Sequence, residues 1–105
     1  MNPQTSIRLT KFQIDTIITV FKQCFAASDQ LWIFGSRIDL AAKGGDIDLY
    51  VKSTINNTDL LLKNKISFLV KLQSIIGEQK IDVILDNGKD QLPIYHIARQ
   101  GVKLV

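Results

Sequence analysis

The chain reads as a small α/β or α+β domain, a small mixed β-sheet flanked by helices, and three observations carry that reading. Apolar residues recur at helical spacing in two long segments, near residues 10–27 and 57–76. Three short runs have strand character, at 31–34, 46–51 and 80–85. The order α-β-(α)-β-α-β-α interleaves the two kinds of element, as a sheet covered by helices requires. At 105 residues this is a single domain over residues 1–105, large enough for one core.

The elements follow in order. Thr10 and Gln13 match a capping box, and Ile14, Ile17, Ile18, Phe21, Cys24 and Phe25 then share one face, which predicts a helix over 10–27. Cys24 on that face is a small core residue rather than a reactive thiol. Leu31-Trp32-Ile33-Phe34 is wholly apolar, so it reads as a central strand buried on both faces, with Trp32 in the core. Residues 36–42 can form a short helix, and Lys43-Gly44-Gly45 turns the chain into the next strand. In 46–51, Ile47, Leu49 and Val51 face one side while Asp46, Asp48 and Tyr50 face the other.

Asn56-Asn57-Thr58 offers caps for a second helix reaching Ile76, whose apolar residues include Leu62, Ile66, Leu69, Val70 and Ile76; Gly77 stops it. In 80–85, Ile81, Val83 and Leu85 oppose Asp82 and Ile84, and Asp86-Asn87-Gly88 closes the strand. Asp86, Lys89 and Asp90 read as a solvated turn. Pro93 opens a short last helix through Arg99, and Gly101 precedes a final apolar stretch, 102–105. Three strands are expected in all.

Apolar residues make up 46% and charged residues 22%, which excludes disordered and collagen-like classes. A net charge of +3 and a pI near 9.1 suit an anionic ligand such as a nucleotide. Lys and Arg are scattered without aromatic interleaving, so a nucleic-acid partner is not expected. The single cysteine cannot form an internal disulfide, the N-terminal residues lack a signal sequence, and no apolar run reaches membrane-spanning length. A cytoplasmic protein without a membrane partner is the expectation.

The chemistry concentrates in Gly35-Ser36-Arg37, Asp46-Ile47-Asp48 and Asp82. Two aspartates one residue apart on a strand share a face about 6.5–7 Å apart, and a neighbouring strand about 4.8 Å away can add Asp82. Aspartate is disfavoured in strands, and facing carboxylates repel unless a cation lies between them. Gly35-Ser36 follows a buried strand where free N–H groups can meet a phosphate. Mg²⁺ suits such a donor set, with Asp46 and Asp48 as ligands and Asp82 as a ligand to a second ion or as general base. Arg37 reads equally as a triphosphate contact or a surface ion-pair residue. Tyr50 can stack on a base or pack, and the sole histidine, His96, lies outside any zinc constellation.

Phe34-Gly35-Ser36-Arg37, Gly45-Asp46-Ile47-Asp48-Leu49 and Ile81-Asp82-Val83-Ile84 together resemble the signature of the polymerase-β-type nucleotidyltransferase superfamily. At this length the chain is similar to the minimal nucleotidyltransferases that accompany HEPN-domain proteins in prokaryotic toxin–antitoxin pairs. The resemblance implies a polymerase-β-like fold and transfer of a nucleoside monophosphate, AMP from ATP, to a tyrosine of a helical HEPN-type partner within a homo- or hetero-oligomer. It implies Asp46, Asp48 and Asp82 as catalytic ligands of two Mg²⁺ ions, and Gly35, Ser36 and Arg37 at the nucleotide. One departure is that Ile38-Asp39-Leu40 stands where members often run Ala-Arg-Gly, which brings Asp39 near the phosphates. The second reading is a non-catalytic nucleotide-binding module that neutralises a partner by direct contact.

Overall fold

A computed structural model describes residues 7–38 and 45–105. Helix α1 (Lys11–Cys24) begins with the expected capping box: the Gln13 amide donates to the Thr10 hydroxyl at 3.1 Å, and the Thr10 amide donates to the Gln13 side chain at 3.0 Å. It ends three residues short of the expected limit, because Phe25 is extended and the next turn is held elsewhere. The buried Asp29 carboxylate accepts from the Ala26 amide at 3.0 Å and from the Ser53 hydroxyl at 2.9 Å. Cys24 is half-buried and packs against the core, as expected of a small apolar residue.

Strand β1 (Gln30–Phe34) leads into a 3₁₀ turn (Gly35–Ile38), then β2 (Ile47–Lys52), α2 (Thr58–Ile76), β3 (Ile81–Asp86), α3 (Pro93–Arg99) and β4 (Val102–Lys103). The sheet order is β3-β2-β1-β4. β2 and β3 run parallel, joined by the α2 crossover, and β1 is antiparallel to both its neighbours. This is the mixed α+β architecture that the sequence predicts. The 3₁₀ turn occupies the start of the short helix expected at 36–42, the rest of which lies outside the described residues.

A fourth strand replaces the expected three. β1 is buried from Leu31 to Phe34, so its second edge needs a partner for its backbone groups, and Val102 and Lys103 pair there with Ile33 and Trp32. Gly101 permits the approach, since a Cβ at that position would overlap the Ile33 carbonyl and come 2.8 Å from Phe34 Cβ. Two residues are too few to display a strand period.

Helices α1 and α2 cover one sheet face, burying Leu31, Ile33, Ile47, Leu49, Val51, Ile81 and Val83. On the opposite face α3 packs Tyr95 and Ala98 over Trp32, Phe34 and Tyr50, with ring centroids 5.3 Å apart for Trp32–Tyr50 and 5.8 Å for Tyr50–Tyr95. Tyr50 is fully buried, so it packs rather than offering its ring to a ligand. Its phenol donates to Asp86 at 2.5 Å, and the Asp86 carboxylate also accepts from the Gly88 amide at 2.8 Å and lies 3.5 Å from Arg99 Nη1. The solvated turn expected at Asp86 is thereby corrected: the residue is 4% exposed and ends β3, because a buried phenol beneath α3 requires an acceptor.

Asn57 caps α2 by accepting from the Leu60 amide at 3.0 Å, and Gly77 ends it at φ 90°. The buried residues of α2 are Leu61, Phe68 and Leu72, whereas Leu62, Ile66 and Val70 are 48%, 55% and 63% exposed. Phe68 decides this rotation by inserting edge-on against Phe21 and Phe25 of the first helix region, at 6.1 and 5.8 Å. Among the described residues no helix is long and apolar enough to cross a membrane.

Candidate functional site

β1 and β2 place Phe34 opposite Asp48, and the parallel β2–β3 register places Asp48 beside Asp82. Register neighbours point their side chains to the same face, so two carboxylates stand side by side about 4.8 Å apart at the backbone. Directly after Phe34 the chain turns at Gly35, whose φ is 76°. A Cβ built on Gly35 would overlap Asp48 Oδ2, so this carboxylate lies flat against bare backbone. Gly35 is required here twice, for its left-handed conformation and for the closeness of the acid.

The electrostatics at Asp48 are adverse. Partial burial raises its pKa above the ordinary carboxylate value, the charges of Asp82 and Asp46 raise it further, and Lys80 opposes them. Asp46 lies just before β2 rather than within it, and its Oδ2 is 3.4 Å from Lys80 Nζ. Both side chains are well exposed, at 43% and 71%, so the pair is weak and readily exchanged. Among the described residues no three His, Cys, Asp or Glu side chains stand together closely enough to enclose a metal ion. Of the three acids, Asp48 and Asp82 are register neighbours, and Asp46, just before β2, is near enough for its charge to act on Asp48 while it pairs with Lys80. Paired, mutually repelling carboxylate oxygens at the end of a strand fit a hard cation completed by phosphate oxygens.

The turn that faces this pair is held from below. The Ser36 hydroxyl donates to the Asp46 carbonyl at 3.3 Å, joining the two ends of the intervening loop, and a side chain at Gly45 would overlap that hydroxyl. Arg37 Nη1 donates to the Arg8 carbonyl at 3.1 Å, the Arg8 amide returns a bond to the Arg37 carbonyl at 2.7 Å, and Arg8 Nη2 donates to the Ser36 carbonyl at 2.7 Å. Neither sequence reading of Arg37 foresaw this tie to the segment preceding α1. Arg8 was missed altogether, because a single arginine before a capping box carries no pattern. The departure at Asp39 lies outside the described residues. His96 is exposed, and among the described residues its ring hydrogen-bonds only to Gln100, at 3.0 Å.

Gly35→Ala should lower stability by about 1–3 kcal/mol, since it combines a strained backbone with an overlap on Asp48. Gly88→Ala is the comparison, at φ 83° with no atom within 4 Å of its Cβ. Urea midpoints at constant m-value measure both; equal losses would show that the contact with Asp48 adds nothing.

No protein-family model matches the chain, and no curated protein sequence matches it.

Proposed function

We propose that the chain is a Mg²⁺-dependent nucleotidyltransferase that transfers AMP from ATP to a hydroxyl on a partner protein, in the manner of the antitoxin of a HEPN/minimal-nucleotidyltransferase pair. One observation carries this reading: Asp48, with Asp82 as its register neighbour, lies against the bare backbone of Gly35. An acidic pair that needs a cation and a turn that can approach a phosphate then occupy the same place.

Asp48 and Asp82 would hold Mg²⁺, with Asp46 joining once it leaves Lys80, and a second ion would share the same acids. When bound, Mg²⁺ supplies charge stabilisation at the leaving pyrophosphate and favours ionisation of the acceptor hydroxyl. The chain's own residues do the remainder. Gly35 leaves its peptide open to the triphosphate, and Ser36 ties the turn to the start of β2 through the Asp46 carbonyl. Arg37 acts as a brace that sets the turn rather than as a direct nucleotide contact. The acceptor oxygen forms a bond to the α-phosphorus, the bond from that phosphorus to the bridging oxygen breaks, and pyrophosphate leaves with the electron pair. The acceptor proton passes to Asp82, the more exposed acid of the pair. A helical partner in the cytoplasm would provide the acceptor within a hetero-oligomer.

The second reading, neutralisation by contact alone, draws on the Asp46–Lys80 pair and on the open constellation. A labelling experiment separates the two. Wild type with Mg²⁺ and ATP labelled on the α-phosphorus, in lysate of cells lacking the gene, should label one protein, and the Asp46→Asn/Asp48→Asn variant should label none. A stable complex with no label from wild type would favour contact. Independently, Mg-ATP at a hundred times its Kd should stabilise the purified protein by about 2.7 kcal/mol, read as a rise in melting temperature. An unchanged melting temperature at saturating Mg-ATP would sink the catalytic reading.

A further inference from the structure

A cavity of about 470 Å³ opens at the other end of the same sheet face, bounded by Lys52 of β2, Asp86 of β3 and the α3 residues Pro93, His96 and Arg99. Lys52 lies four residues beyond Asp48 along β2, a separation of about 13 Å. Tyr50 and Tyr95 fill the space between the two places. The cavity is therefore separate from the acidic pair.

Its polar groups are unevenly committed. The Asp86 carboxylate is already occupied by the Tyr50 phenol, the Gly88 amide and Arg99. Burial and the Asp86 hydrogen bond push the Tyr50 pKa up to about 12, so the phenol remains a donor to Asp86 at physiological pH. Arg99 donates through Nη1 to the Tyr50 hydroxyl at 2.9 Å and stands 3.5 Å from Asp86, longer than a tight charge-assisted bond. A guanidinium has five N–H groups, so among the described residues most of its donors are without a protein partner. Lys52 makes no ion pair among the described residues. Alongside these donors stands the His96 ring, whose Nε2 meets Gln100 at 3.0 Å while its other nitrogen, among the described residues, has no partner; Asp90 on the rim is, among the described residues, the one carboxylate of the lining in no ion pair or hydrogen bond. Leu92 and Pro93 add an apolar wall. Donors converging from a strand end and a helix, with an apolar wall and a volume in the range of ligand pockets, suit an anion carrying a modest organic body.

We propose that this cavity binds the phosphoryl group of a small phosphorylated molecule of about mononucleotide size, held by Lys52, His96 and Arg99 without a metal ion. This goes beyond nucleotidyl transfer and stands whether or not that activity is found.

His96 is the only histidine, so its ring resonances report on the cavity without ambiguity. The full chain, in buffer containing EDTA, is titrated with inorganic phosphate and separately with adenosine 5′-monophosphate. Both should shift the His96 resonances saturably, the nucleotide at least about tenfold more tightly. Lys52→Glu should weaken nucleotide binding by about tenfold or more, and Lys52→Gln by less, while Lys22→Glu, the same charge change on exposed α1 surface, leaves it unaltered. Asp48→Asn should leave this binding unchanged, which keeps a failure here distinct from a failure of the catalytic reading. No saturable shift, or equal weakening by Lys52→Glu and Lys22→Glu, would overturn the site. Phosphate binding as tightly as the nucleotide would overturn the mononucleotide-sized occupant.

Discussion

Asp48→Asn should abolish Mg²⁺-dependent transfer and at the same time stabilise the metal-free protein at neutral pH. The loss of activity follows from the proposed role: removing a ligand that delivers several kcal/mol of charge stabilisation slows the reaction by at least about a hundredfold. The gain in stability follows from the surroundings of the side chain. Asp48 sits beside Asp82, near Asp46 and against the Gly35 backbone, and its folded-state pKa is raised above the ordinary value of 3.8, first by burial and then by those two charges. A raised pKa means that the folded chain holds this proton more tightly than the unfolded chain does. Wild-type stability from this group is thus full below 3.8 and is lost as pH rises through the folded pKa. Asparagine removes that loss, so the variant's advantage should be absent in acid and complete at neutral pH. Its size should be about 0.2–1 kcal/mol, the scale of a relieved like-charge pair on a sheet. Saturating Mg-ATP should reverse the order, because only wild type gains from the bound ion. Thermal melts at acid and neutral pH, with and without Mg-ATP, test all three statements; a variant less stable than wild type in neutral EDTA would contradict the electrostatic account.

Phe68→Ala should cost about 3–5 kcal/mol, a loss at the upper end for a single truncation. The side chain is completely buried and meets Phe21 and Phe25 edge-on, so its loss leaves a void that two rings and two helices must close together. A domain of this size has about 5–15 kcal/mol in total, so the variant should be partly unfolded near body temperature. Ile66→Ala, two residues earlier and 55% exposed, should change stability by no more than about 0.5 kcal/mol. Urea unfolding of the two variants decides which face of α2 is internal. Comparable losses would mean that Ile66 is covered in solution.

That contrast marks where sequence reasoning stops. The capping box at Thr10, the cap at Asn57, the stop at Gly77 and the alternation that separates Ile47, Leu49 and Val51 from Asp48 and Tyr50 were all legible. Each is a property of residues within one turn or one pleat, where the geometry repeats and local chemistry suffices. The nearness of Asp48 and Asp82 was legible for the same reason, since it needed only that their strands be neighbours. The rotation of α2 was not, because apolar residues lie all round that helix and its period does not choose among them. Nor was β4, two residues whose strand character comes wholly from the open edge of β1. Asp86 had the composition of a turn and became a buried acceptor because it meets the phenol of Tyr50, 36 positions away, beneath an arginine 49 positions from that tyrosine. Arg8 acquired its role by reaching a carbonyl 28 positions distant. The sequence alone determined which residues alternate, cap and turn. Tertiary packing decided which of the remaining polar groups would be desolvated, and a desolvated group takes whatever partner the fold brings within hydrogen-bonding distance.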